Sequence, residues 1–441
     1  MELKIEKLVY GGDGLARVEQ SDGKRKSVFV PMVLPGERVE AAVVEDRGGF
    51  ARARLERVME PASYRAEPPC GYFGECGGCH YQHAPYEEQL RLKKEILRET
   101  VARIAKIELP EIEVHASPPL HYRNRTRMKL QASDSGEAGF CIGYYKLGSH
   151  RLLPVRECPI SSELVNRALA AVWAIGSELC LPHGLREIEF FADGEDQRLL
   201  IELLTSSGPD REGLRVLAGL LRQRLPELAG VAAVATAPRG ENLVAAPELG
   251  EQDSAVASGI IGKNDLQYRI GDFAYRASAG SFFQTNRFLV PKLVDLACGG
   301  ASGRLAMDLY AGVGLFTLPL ASQFERVIAV EAAPASFADL KVNAPEHVKA
   351  VQATTEEFLA RSPQKPDFVV VDPPRSGLGK KVVAGLGKLA PKSLAYVSCD
   401  PSTMARDLSG LVAAGYRITQ AHLADLFPHT FHIETVLRME R

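Results

Sequence analysis

At 441 residues the chain exceeds the length at which one core keeps growing, so two or three domains are expected. A hydrophobic content of 46%, a charged content of 24% and a formal net charge of -2 are ordinary for a globular chain and exclude a global attraction to nucleic acid, so any polyanion site must be local. The N-terminus MELKIEKLVYGG has no apolar signal core and no run is long enough to cross a bilayer, which predicts a soluble cytoplasmic protein.

Residues 1–60 read as short strands separated by glycine turns such as GGDG and RGG, with no helical stretch among them. That pattern predicts a small closed barrel of the OB type, serving either nucleic-acid binding or spacing. Cys70, Cys76 and Cys79 follow in CGYFGECGGC, spaced C-x5-C-x2-C with Gly77 and Gly78 allowing a tight wrap, and Cys158 in RECPI comes 79 residues after Cys79. Eight cysteines are too sparse for a disulfide scaffold. Four thiolates suit a tetrahedral zinc ion or a four-iron cluster, and spacing alone does not choose. Cys141, Cys180 and Cys298 are dispersed and carry no role.

Pro85 opens an amphipathic helix whose apolar face is read at Tyr86, Leu90, Leu97, Val101 and Ile104. In HYRNRTRMK, Arg123, Arg125, Arg127 and Lys129 stand at strand spacing, a candidate phosphate-binding ribbon, with His121 and Tyr122 placed to stack on bases. The equal alternative is a solvated sheet edge. The rest of 61–270, a central domain with the cysteine cluster and basic strand, mixes strands with helical stretches around Leu164 to Leu179 and Glu212 to Leu225.

From Arg304 apolar strands alternate with helices, which specifies a mostly parallel sheet covered on both faces. The last two strands, separated by FPHTF, predict an antiparallel hairpin at the edge, as in the methyltransferase variant of the doubly wound fold. In DLYAGVGLF a strand ends, Gly312 and Gly314 permit a turn, and a helix begins. Glu331 ends the next strand nineteen residues after Gly312, where a carboxylate can accept both ribose hydroxyls of an adenosine. The third glycine of the dinucleotide fingerprint is missing, so S-adenosylmethionine (SAM) fits better than a dinucleotide. Asp372 in VVVDPPRSG ends another strand at the ligand crevice of such sheets, and Cys399 closes an apolar run in YVSCDPSTMARDL.

GSFFQTN, DLYAGVG, DPPRSGL, SCDPSTMARDL and FPHTFHIETV, in this order, resemble the SAM-dependent RNA uracil-C5 methyltransferases, and residues 1–60 resemble their TRAM domain. The resemblance implies an α/β protein: a TRAM barrel over 1–60, a central domain over 61–270, and a Rossmann-like methyltransferase domain over 271–441. It implies Cys399 as nucleophile, Glu434 as base, and Gln284, Tyr310, Glu331 and Asp372 around the cofactor and target base. It also tips Cys70, Cys76, Cys79 and Cys158 toward a [4Fe-4S] cluster. Covalent catalysis calls for a partly ionised, exposed thiol at Cys399, and a raised pKa would suit Glu434 as base. His429, His432 and Glu434 lie close in sequence but lack a fourth metal ligand. The substrate implied is RNA, 23S ribosomal RNA before the T-loop of transfer RNA, with a monomer and no obligate protein partner expected. An amino or cytosine methyltransferase and a non-catalytic RNA-binding or ribosome-assembly protein are the competing readings.

Overall fold

The computed structural model describes residues 1–20, 23–132, 140–178, 181, 184–205, 211–235, 257–361 and 364–441; Leu179 and Cys180 lie outside them. The first 60 residues form a six-stranded sheet in the order Glu2–Lys4, Arg38–Arg47, Phe50–Glu60, Arg25–Val30, Gly14–Glu19, Lys7–Leu8. Both edge strands come from the first eight residues, so the sheet must curl until its edges approach, enclosing Leu3, Ile5, Val28, Val30, Val39 and Ala51. In FARARLERV, Ala51 and Ala53 point inward while Arg52 and Arg54 face water, the period of two that a one-sided sheet requires.

A second sheet has seven strands in the order Leu152–Pro154, Phe140–Tyr145, Arg125–Ala132, Leu185–Ala192, Leu199–Thr205, Leu228–Ala235, Ala257–Gly262. Helices Glu163–Glu178 and Arg211–Arg224 bury Leu164, Leu169, Leu217 and Leu221 in one core with Phe190 and Ile201 from its strands.

The third sheet has eight strands in the order Val348–Gln352, Phe324–Glu331, Gly303–Leu309, Phe368–Val371, Ser393–Ser398, Glu434–Glu440, Arg417–Ala424, Ile112–His115. The first five run parallel, as apolar runs such as FVVV predict for strands covered on both faces. The last strand in sequence, Glu434–Glu440, is inserted antiparallel between Ser393–Ser398 and Arg417–Ala424.

Helix Tyr86–Ala105 and strand Ile112–His115 belong with this third sheet: the helix shares a core with helix Pro401–Ala413, and the strand pairs parallel with Arg417–Ala424. The buried face of the helix differs from the apolar stripe read in the sequence. Gln89, Leu92, Lys93, Ile96, Leu97, Thr100 and Val101 are buried, whereas Ile104 is exposed. Gln89 and Lys93 go inside because each finds a partner on the loop after Ala424. Lys93 Nζ pairs with Asp425 at 2.7 Å and donates to the Phe427 carbonyl at 2.9 Å.

The basic ribbon is not a free phosphate-binding surface. Strand Leu185–Ala192 sets Glu189 opposite Arg127 and Glu187 opposite Lys129. Glu189 takes Arg125 at 2.5 Å and Arg127 at 2.8 Å, and Glu187 takes Lys129. Tyr122 does not offer its ring to a base; it is fully buried, with its hydroxyl donating to the Pro428 carbonyl. No helix among the described residues is long and apolar enough to cross a membrane.

Candidate active site

Sheet register assembles the site. Ser398 pairs with Thr435 across the antiparallel strands, so Cys399, the next residue on one strand, and Glu434, the previous residue on the other, leave the sheet side by side. Asp372 follows Val371, which pairs in parallel with Tyr396 on the strand leading to Cys399. Asp308 lies on the other side of that strand, opposite Val370. The carboxyl ends of three strands therefore converge.

Asp400 stops the cysteine's strand and starts a helix: its Oδ1 accepts from the amides of Ser402 and Thr403 at 2.8 and 2.9 Å, an N-cap that fixes the backbone beside Cys399. The Cys399 thiol is partly buried, not exposed and ionised as the chemistry anticipates. Burial, then the carboxylates of Glu434 and Asp372, push its pKa well above that of a free thiol, and the Arg375 guanidinium opposes them. Glu434 is buried, and burial followed by Asp372 holds its carboxyl well above the usual range, again against Arg375. Asp372 is pushed up to about 7 by burial and by Asp308. Like charges this close in a dry site cannot all ionise, so the free protein stores protons here. Arg375, immediately after the two prolines that follow Asp372, is a cation of the site and was not singled out in the sequence. Its guanidinium also faces the ring of His432, 3.1 Å from Nε2. His432 lies on the loop before the strand, which begins at Glu434.

The glycine turn follows Gly303–Leu309. Tyr310, Gly312 and Gly314 all have positive φ, at 69°, 56° and 101°, which reverses the chain at once. Glu331 closes the turn: its carboxylate accepts from the amides of Gly312 at 2.8 Å and Ala333 at 2.6 Å, one on each oxygen, which leaves each oxygen a further lone pair. Asp308, beneath the turn, accepts from Thr317 Oγ1 at 2.5 Å on one oxygen, while its buried Oδ1 has no partner. Burial raises its pKa to about 7, with Glu331 adding to the rise and Thr317 opposing it. Gln284 is buried on the loop after Phe273–Ser278, but among the described residues no hydrogen bond joins it to Tyr310, Glu331 or Asp372.

The loop ahead of Glu434 is strapped from the N-terminal side. The amides of His80 and Tyr81, adjacent to Cys79, both donate to the His429 carbonyl, at 2.7 and 2.9 Å. Gln89 Oε1 accepts from the His429 amide at 2.9 Å, and Gln89 Nε2 lies 3.0 Å from His429 Nδ1. His429 itself sits at φ 68°, a strained conformation that such partners can hold.

Cys70, Cys76, Cys79 and Cys158 are unpaired and partly buried, and each of Cys70, Cys76 and Cys79 feels the charge of Cys158. Burial pushes the Cys76 thiol up to about 11 and Cys79 higher still. The wrap uses Gly77 for close approach, since a Cβ there would lie 3.3 Å from the Tyr145 carbonyl oxygen. Arg123 makes no ion pair among the described residues. The ionisable groups around it are Tyr144, Tyr122, Cys158 and Cys79. Arg123 is half-buried, a guanidinium cannot shed its proton, and one drawn out of water favours a counter-charge. Four metal-bound thiolates would provide it, so these residues fit an anionic metal–thiolate centre.

Comparison with known proteins places the chain in a family. A family model described as tRNA (uracil-5-)-methyltransferase matches residues 85–441, and one described as TRAM domain matches residues 1–55. An uncharacterised RNA methyltransferase of Aquifex aeolicus is 32% identical, covering 100% of this chain and 98% of that one. The 23S rRNA (uracil(1939)-C(5))-methyltransferase RlmD of Chromohalobacter salexigens is 33% identical, covering 100% of this chain and 89% of that one. The crystal structure of Pyrococcus abyssi tRNA (uracil-54, C5)-methyltransferase with S-adenosyl-L-homocysteine shares the fold, with a TM-score of 0.73 at 24% identity over 100% of both chains. With an N-terminal TRAM domain and a C-terminal SAM methyltransferase fold, the chain belongs to the tRNA (uracil-5-)-methyltransferase family and is an RNA uracil-5 methyltransferase.

Proposed function

We propose that the protein methylates carbon 5 of a uridine in 23S ribosomal RNA through a covalent adduct with Cys399, with Glu434 as the base. The observation that carries this reading is the register that sets Cys399 beside Glu434. Carbon 5 of uracil is too weak a nucleophile to take a methyl group unaided. Bonding of the Cys399 sulfur to carbon 6 loads the ring electrons into an enolate, whose carbon 5 then takes the methyl. Glu434 removes the proton left on carbon 5, the sulfur–carbon bond breaks, and the 5,6 double bond and the thiolate return. SAM supplies the methyl group and a sulfonium charge that favours ionised carboxylates around it. Arg375 supports the same ionised forms, acting on both Cys399 and Glu434. The target base has to leave its stack to reach a partly buried thiol.

Glu331, Tyr310, Asp372 and Gln284 are assigned to the cofactor and target base. The remaining lone pairs of Glu331 support a ribose contact, and Asp372, between Asp308 and Cys399, supports a place where cofactor and base meet. Cys70, Cys76, Cys79 and Cys158 hold a [4Fe-4S] cluster in this reading, contributing negative charge and a cross-link between segments. Arg123 supports that assignment. The division into 1–60, 61–270 and 271–441 is kept, with the curled N-terminal sheet as an OB-like barrel and 86–115 as an arm onto the third sheet. Cytoplasmic location and a monomer complete the reading.

Labelled SAM with total RNA, followed by mapping of 5-methyluridine, tests it. Incorporation at one uridine of 23S RNA is expected. Label only in the transfer-RNA T-loop would move the substrate to the family's other RNA, and no label in any RNA would sink the proposal. Iron and sulfide analysis of anaerobically purified protein tests the cluster; one tight zinc ion without iron overturns it.

A further inference from the structure

Strand Ile112–His115 lies parallel to Arg417–Ala424 with Glu113 opposite His422. The strand period puts Glu113 and His115 on one face. There His422 Nδ1 lies 3.3 Å from His115 Nε2 and 3.5 Å from Glu113 Oε2, and the three donor atoms all fall within 4.8 Å of one another. Tetrahedral zinc, with bonds of about 2.0–2.1 Å to nitrogen and oxygen, sets neighbouring ligand atoms about 3.3–3.4 Å apart. The closest edges of the group already match.

Protonation favours the same use. The far nitrogen of His422, Nε2, is 3.4 Å from Gln420 Oε1, an atom that only accepts. With its hydrogen on Nε2, His422 turns the Nδ1 lone pair toward His115 and Glu113, the arrangement that a partner behind a metal-bound imidazole favours. Of the nearby cations, Lys292 is offset by Asp295 at 3.0 Å, and Arg438 donates to the Ala297 carbonyl.

We propose that Glu113, His115 and His422 bind one zinc-class divalent ion, separate from the four cysteines, that staples the arm of residues 86–115 to the edge of the catalytic sheet. His422 is buried while Glu113 is exposed, so the fourth position opens to solvent. Both rings bind a metal in the neutral form, His115 with its hydrogen on Nδ1. Nitrogen and oxygen donors without sulfur suit zinc and its neighbours over softer ions. The arm so held is the one whose Gln89 and Lys93 grip the loop ahead of Glu434.

Cobalt(II) binding to the anaerobically isolated full-length protein tests this. Wild type is expected to take up one equivalent with ligand-field bands and no intense thiolate charge-transfer band. That uptake should survive Cys158→Ser, which disables the cysteine site, and disappear in His422→Gln. Glu113→Gln, at an exposed side chain whose loss leaves folding intact, should weaken it about tenfold or more. Zinc should displace the cobalt and raise the melting temperature of wild type but not of His422→Gln. Uptake unchanged in both variants, uptake with thiolate bands alone, or no uptake would overturn the site, whatever the outcome at the cysteines or in RNA methylation.

Discussion

The hydroxyl of Tyr10 lies 3.3 Å from the carbonyl oxygen of Cys399 and 3.2 Å from Oδ2 of Asp400, so the N-terminal domain touches the loop that carries the proposed nucleophile. The same ring meets Phe431 edge-on at 5.7 Å, on the loop ahead of Glu434. One side chain thus braces both loops. Tyr10→Phe removes a hydrogen bond worth about 0.5–1.5 kcal/mol, and kcat should fall about 2–10-fold. Single-turnover methylation alongside RNA-binding titration separates the roles; weaker binding at unchanged kcat would assign Tyr10 to RNA instead.

Glu434→Gln should stop the reaction after methyl transfer, because the sulfur–carbon bond cannot break while the carbon 5 proton remains. A protein–RNA adduct that carries the labelled methyl and survives denaturing gels is expected to accumulate, with turnover down about 10²–10⁴-fold. Cys399→Ala in the same background should abolish the adduct. If the adduct persists, another residue is the nucleophile.

The buried carboxylate beneath the glycine turn makes the free protein less stable as pH rises. Asp308 has a folded pKa of about 7, against about 3.9 in an unfolded chain. Between those values the folded state binds the extra proton, so the contribution is fully present below about pH 4 and is lost as pH climbs through 7. Asp308→Asn should therefore gain on wild type at pH 8, by an amount on the order of 4 kcal/mol, and lose that advantage at pH 4. Denaturant midpoints of the two proteins at both pH values decide it; an equal difference at the two would show that the carboxyl is not held protonated.

Lys93 and Asp425 form an ion pair from which water is wholly excluded, with both side chains 0% exposed. Lys93→Met leaves a buried carboxylate without its partner and should cost about 3–5 kcal/mol, while Lys93→Met with Asp425→Leu should recover most of that loss. Because Lys93 also holds the Phe427 carbonyl, the double variant should remain below wild type in kcat. Thermal melts and initial rates on the three proteins test both halves.

The chain's own order of residues determined the parallel sheet, its glycine turn and the strand-end positions of Asp372 and Cys399. Those features rest on contiguous residues: apolar runs of strand length, glycines at the turn, and an Asp-Pro pair that ends a strand and caps a helix. The amphipathic helix after Pro85 was legible in extent but not in orientation. Gln89 and Lys93 are buried only because His429 and Asp425, more than 300 residues away, face them. The basic strand misled for the same reason, since Glu187 and Glu189 cancel its charges from a neighbouring strand. Tyr10 and Arg375 carried no signal of their own, and Arg123 was legible only as part of the basic ribbon. Local spacing specifies strands and turns, because those depend on near neighbours along the chain. Which side chain meets which, and so whether a thiol is ionised or an arginine is free, depends on burial and partners that only the folded packing decided.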